Sequence, residues 1–234
     1  SEIRLKNMGV TPGERANLKT IGDILPVDPA AMTALRKLIG RPFVYLAAST
    51  HAGEEALITK ALEPALWGGD VLILAPRHPA RADEIRLDIE ALGLQVAQRS
   101  KAEKITSKTH VYLADTLGEL GLFFSRANII IMGGSFVEHI GGHNPLEAAR
   151  FGKCVITGPD TTNWGSIYSE LLHEDAAFRV RGPSELGFLL SQLRQNPAMV
   201  KAADRKALDV SRRDAKTLDK VWAALEPLLP PDAS

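Results

Sequence analysis

From Arg41 onward, short apolar runs alternate with longer segments of helical period, and this alternation limits the chain to successive βα units around a parallel sheet. The spacing predicts strands at 43–48, 71–75, 95–98, 109–114, 128–132, 154–157 and 177–180. Several are apolar throughout, as strands covered on both faces must be. Helices are predicted between them at 54–66, 80–92, 117–125, 145–151, 164–172 and 184–195. Asp115-Thr116 can cap the helix at 117, Asn144 before Pro145 supplies an N-cap and a first-turn proline, and Gly93 and Gly152 follow helix ends. Before Pro29 the chain is broken by Gly9, Pro12, Gly13, Gly22 and Pro26, which reads as a short helix and a linker. Beyond Pro197, apolar residues at Ala207, Val210, Leu218, Val221, Trp222 and Leu225 predict one or two closing helices, ahead of a frayed tail at Pro230-Pro231-Asp232. The expected division is a linker at 1–29, a Rossmann-like ligand-binding domain at 30–197, and closing helices with tail at 198–234.

With 28 basic and 28 acidic residues, no net field draws in nucleic acid or an anionic membrane, so any anion site must be local. The single cysteine, Cys154, lies in an apolar run and can form no internal disulfide, which fits a reducing, cytoplasmic setting. No apolar stretch reaches the roughly 18 to 20 residues that span a bilayer, and Ser1-Glu2-Ile3-Arg4 does not read as a signal peptide. The chain is expected to be soluble.

In an open parallel sheet, ligands bind outside the carboxyl ends of the strands, so the informative residues follow each strand. Ser49-Thr50-His51 leads into Glu54-Glu55 at a helix start, where hydroxyls and amides can hold an oxyanion or the glutamates can simply serve the helix dipole. The Gly-x-Gly-x-x-Gly of dinucleotide binders is absent, which disfavours NAD. Arg77 stands directly after a buried strand between Pro76 and Pro79, so its guanidinium is presented in a fixed direction, to a phosphate or to a carboxylate that closes the loop. His78 beside it has no evident partner. Gly118 and Gly121 cost helix propensity inside a helical pattern, which signals close approach of a ligand or of a neighbouring element.

The longest irregular stretch runs from Gly133-Gly134-Ser135 to Gly141-Gly142-His143-Asn144-Pro145-Leu146-Glu147. Glycines remove the side chains that would keep a phosphate from backbone N–H groups, and a helix start adds partial positive charge, so the run reads as a phosphate cradle. Glu147, three residues after Asn144, fits either a capping box or a carboxylate that receives two ribose hydroxyls. His139 and His143 are four apart, but Gly141-Gly142 between them argues against one helical face and a metal site. Asn163, in the loop after the strand at 154–157, reads as an N-cap.

These residues resemble the C-terminal domain of bacterial 3-deoxy-manno-octulosonate (Kdo) transferases. The similarity runs from Asn17-Leu18-Lys19 through Ala47-Ala48-Ser49-Thr50-His51, Ala75-Pro76-Arg77-His78-Pro79 and Val111 to Phe123, and on through Gly133-Gly134-Ser135, the Gly141–Glu147 run and Gly158-Pro159. The chain departs from the family pattern at Ala148 and Cys154, where proline is common, and at Asp160, where a ring residue is common. The resemblance implies the C-terminal, donor-binding half of a GT-B glycosyltransferase, a Rossmann-like parallel sheet with helices on both faces. It implies CMP-Kdo as donor substrate, a lipid A precursor as acceptor reached through an N-terminal domain, inversion, no cofactor and no metal. It places the catalytic base in that N-terminal domain, so no catalytic residue is expected in this chain, which would begin near the interdomain linker and be inactive alone. The full protein would work at the cytoplasmic face of the bacterial inner membrane, in lipopolysaccharide assembly. Carried over by position, Arg77 and the amides of Gly133, Gly134 and Ser135 would hold the CMP phosphate, with Ser49 and Thr50 beside them. Asn144 would support that site, Glu147 would take the ribose, and the turn with Gly118, Glu119 and Gly121 would seat cytosine. A UDP-sugar transferase or epimerase of the same fold, or a non-catalytic nucleotide-binding module, would share the phosphate loop and the glutamate.

Overall fold

The structure, a computed structural model, describes residues 4, 8–9, 21–40, 42–213 and 217–226. The tail at 230–232, the Asn17-Leu18-Lys19 match and most of the segment expected to hold a short helix and the start of a linker lie outside the described residues; residues 21–28 form no regular element. The chain divides into two units, Ile24–Val210 and the two chain ends, Ser1–Asp23 with Ser211–Ser234. In the second unit the described helix is Thr217–Leu225, with Trp222 and Leu225 exposed.

The first unit is a seven-stranded sheet, every pair parallel: β1 (Val44–Thr50), β2 (Val71–Pro76), β3 (Val96–Gln98), β4 (Val111–Leu113), β5 (Ile129–Met132), β6 (Val155–Thr157) and β7 (Ala177–Arg179). All seven fall on predicted strands. The sheet order is β3-β4-β2-β1-β5-β6-β7. The strands β2, β4, β5 and β6 are buried along their whole length, which the unbroken apolar runs of β2, β4 and β5 require; β6 ends on the buried Thr157.

Helices cover the sheet: α1 (Pro29–Ile39), α2 (Glu54–Trp67), α3 (Ala82–Ala91), α4 (Leu120–Arg126), α5 (Pro145–Ala149), α6 (Gly165–His173), α7 (Pro183–Gln195) and α8 (Pro197–Arg213). α2 packs on α3 and α7, while α4 packs on α1 and α5. α1 is an addition to the expected elements. Its signals are ordinary ones: Asp28 Oδ1 accepts from Ala30 N at 2.9 Å, Pro29 opens the first turn, and Gly40 ends the helix with φ 72°. Met32, Leu35 and Ile39 give it a buried face.

Two expected caps differ. The helix predicted from 117 begins at Leu120, because Asp115 is turned back to Ser100 N and Oγ and to Gln98 Nε2 instead of capping. Asn163 sits within a 3-10 turn at Thr162–Trp164, donates its side-chain amide to Ile140 O, and is not the cap of α6. Asn144 caps α5 as expected, accepting from Leu146 N at 3.0 Å. Among the described residues no helix is long and apolar enough to cross a membrane.

Candidate functional site

The strand order reverses at β1, which pairs with β2 on one side and β5 on the other. Loops leaving β1 and β5 at their carboxyl ends therefore part company there, the usual location of a ligand crevice. Ser49, at the bulge that ends the β1–β2 pairing, adopts φ 57°, a left-handed conformation that costs a non-glycine residue about 1 kcal/mol or more.

Glu54, at the first turn of α2, is fully buried. Its Oε2 accepts from His51 N at 2.9 Å and Gly134 N at 2.7 Å, and its Oε1 from Ser135 N at 3.0 Å and Phe136 N at 2.9 Å. The amides expected to cradle a phosphate thus hold a carboxylate of the protein itself. Gly133 N donates to Ala48 O, and Ser135 Oγ donates to Met132 O and accepts from Gly158 N, so neither faces a ligand. The glycine signal is steric: a Cβ on Gly133 would lie 2.5 Å from Ser49 O and 2.7 Å from Thr50 Cα. Thr50 is likewise fully buried, donating from Oγ1 to Glu55 Oε1 at 3.1 Å. Glu55 in turn takes Arg81 Nη1 at 2.8 Å, so Arg81, not Arg77, is the arginine that closes this loop.

The 141–144 stretch is fastened in the same way. Gly142 N donates to Gly134 O, Gly141 N to Asp160 Oδ2, and Asn163 N to Gly141 O. A Cβ on Gly141 would stand 2.6 Å from Thr162 Oγ1, so protein again occupies the space that glycine leaves. His139 projects into solvent beside Glu138 with φ 69°. Among the described residues no group of histidine, cysteine, aspartate or glutamate is arranged to hold a metal ion.

What stays open lies between the ends of β1, β2 and β4. A cavity of about 160 Å³ is lined by Ser49, Pro76, Arg77, Thr116, Gly118 and Phe123, among others. Among the described residues no carboxylate lies within ion-pair distance of the Arg77 guanidinium, while its backbone N donates to Thr50 O and fixes the loop. Gly118, with φ 80°, has open space where a Cβ would stand. Glu119 and Gly121 sit behind this turn rather than in it. The Glu119 carboxylate takes Arg99 through two nitrogens and Thr116 Oγ1, and a Cβ on Gly121 would meet Pro26 O at 2.8 Å. The Glu147 carboxyl is pushed above its usual range by burial, a shift opposed by Arg150, the Asn144 side chain and Arg77. A half-buried acid within the field of Arg77 is suited to accept hydroxyl hydrogen bonds.

Next to Arg77 is a cluster that the sequence did not reveal. His51 and His143, 92 positions apart, bring their Nε2 atoms to 2.8 Å with rings 5.0 Å apart and 10° from parallel. His78 meets His51 edge-on at 5.6 Å. Burial, His51, Arg77 and His78 push His143 down to about 4. Only the contact itself could have disclosed this pair, since neither histidine has a local sequence partner.

No protein-family model matches the chain. The 3-deoxy-D-manno-octulosonic acid transferase of Rickettsia typhi is 33% identical over 218 residues, 92% of this chain and 47% of that protein. The chain spans about half the length of the curated relatives it matches. The C-terminal CMP-Kdo binding domain of WaaA from Acinetobacter baumannii is 31% identical with a TM-score of 0.75, over 79% of this chain and 97% of that one. A glycosyltransferase from Rickettsia africae, 13% identical with a TM-score of 0.62 over 89% of this chain and 54% of that one, shares the fold.

Proposed function

The chain belongs to the 3-deoxy-D-manno-octulosonic acid transferase family, where it corresponds to the C-terminal domain, and from that premise we propose that the crevice beside Arg77 binds CMP-Kdo as sugar donor. On this reading the cavity lined by Ser49, Pro76, Gly118 and Phe123 seats the cytosine. Arg77 meets the phosphate, Glu147 receives the ribose hydroxyls, and Asn144 fixes Glu147 from the helix start. Gly133, Gly134, Ser135 and Thr50 act from behind, holding the loops; Glu119 and Gly121 hold the base turn. The observation that carries the reading is the Arg77 guanidinium, left without a carboxylate partner among the described residues at the lip of a cavity at the carboxyl ends of β1, β2 and β4.

In the whole family member, the proposed reaction is transfer of Kdo to a lipid A precursor in lipopolysaccharide assembly, at the cytoplasmic face of the bacterial inner membrane, with inversion. As CMP departs, Arg77 stabilises the charge gathering on its phosphate, an electrostatic effect strengthened where water is excluded. The base that activates the acceptor belongs to the family's other domain, so residues 1–234 alone bind donor without transferring Kdo; measurable transfer by them would overturn this part.

Calorimetric titration of CMP, UMP and UDP tests the donor assignment. CMP is expected to bind best, and Arg77→Ala to weaken it by about 10- to 100-fold, the worth of one charge-assisted hydrogen bond. A preference for UDP would replace CMP-Kdo with a UDP-sugar, and unchanged CMP affinity in R77A would remove Arg77 from the site.

A further inference from the structure

Resting on the donor-site reading, we propose that His51 and His143 act as one proton-accepting unit that becomes charged as the phosphate beside Arg77 turns into the dianion of the departing CMP. The geometry sets its capacity. With the Nε2 atoms 2.8 Å apart, one must donate and the other accept. The neutral pair then holds one ring with Nε2–H and a free Nδ1, and one ring with Nδ1–H. One further proton, from solvent, fits on the free Nδ1 and makes an imidazolium that donates to its neutral neighbour, a charge-assisted bond. A second would set two N–H groups against each other. The unit therefore takes one proton.

Its surroundings tie that proton to the ligand. Glu54 and Glu55, at the start of α2, favour the charged form, while burial opposes it together with Arg77 and His78 from the loop after β2. An anion on Arg77 offsets the guanidinium, leaving the two glutamates to act. Cleavage of the bond from phosphate oxygen to sugar converts a phosphodiester monoanion into a monoester whose second ionisation lies near about pH 6. The extra negative charge appears where the pair can answer it. The pair is also held in place: Glu54 binds His51 N and Gly134 N, and a Cβ on Gly134 would lie 2.9 Å from His143 Cδ2.

Calorimetry of CMP binding to residues 1–234 near pH 6.5, in two buffers of different ionisation enthalpy, counts the protons exchanged. CMP's own ionisation is common to every variant. The wild type is expected to take up several tenths of a proton more per CMP than His143→Gln or His51→Asn. By linkage, the wild type's CMP affinity relative to these variants rises about three- to tenfold from pH 8 to pH 6. Equal proton counts with CMP bound would overturn the proposal and leave the donor site standing, whereas failure of the wild type to bind CMP would overturn the donor reading and this proposal with it. If the variants do not fold, ring-proton resonances of the wild type decide: CMP should raise the pair's midpoint by about two units or more, and an unmoved midpoint refutes the coupling.

Discussion

Replacing Glu54 with glutamine leaves the side chain's shape unchanged but puts an NH₂ group where one carboxylate oxygen stood. Each oxygen now accepts two backbone N–H groups, at 2.7 to 3.0 Å. Whichever way the amide turns, two of the four donors lose their acceptor and face another donor. Hydrogen bonds to a charged group are worth about 1.5–3 kcal/mol each, and burying unpaired N–H groups adds to the loss. Relief of the cost of burying a charge offsets part of it. The net loss is expected at about 3–5 kcal/mol, or roughly 6–20 °C in melting temperature for a domain of this size. Urea denaturation should show the midpoint fall with an unchanged slope. A loss under about 1 kcal/mol, together with tighter binding of inorganic phosphate by E54Q, would refute the reasoning and return those amides to the role of a phosphate cradle.

Two glycines separate steric need from backbone freedom. Gly133→Ala drives a Cβ to 2.5 Å from Ser49 O and 2.7 Å from Thr50 Cα, backbone atoms that cannot step aside, and should cost about 2–4 kcal/mol by denaturation. Gly118→Ala meets nothing within 4 Å and strains only φ at 80°, so about 1–2 kcal/mol is expected with folding retained. His143 supplies a pH dependence: unfolded it protonates near 6.5, folded near about 4, so the unfolded state binds more protons between these values and stability falls as pH falls. Between pH 7.5 and pH 5 the expected loss is about 2 kcal/mol by urea denaturation, and H143Q should flatten it. Glu147, whose folded carboxyl is raised, acts in the opposite sense over its own window and reduces the net slope.

Periodicity alone determined the parallel α/β sheet, because a strand buried on both faces must be apolar at every position, as Ile129–Met132 and Val71–Ala75 are. It also determined which segments follow the strands, while the Asn144-Pro145 start of α5 was legible from local capping chemistry. These are local or near-local properties. The signals of α1 are equally local, yet the expected linker runs to Pro29, the residue that opens this helix. Only tertiary structure decided what the glycines are for. Close backbone approach by a phosphate and by another loop demand the same residue, and Ser49 at Gly133 and Thr162 at Gly141 decide for the loop. The Gly134 amide that Glu54 accepts from lies 80 positions away, and the His143 ring that meets His51 lies 92 away. A carboxylate at a helix start can cap, pair or fill a nest, and its neighbours in sequence do not distinguish these. Contact across the crossover between β1 and β5 does, and among the described residues it leaves the Arg77 guanidinium without a carboxylate partner.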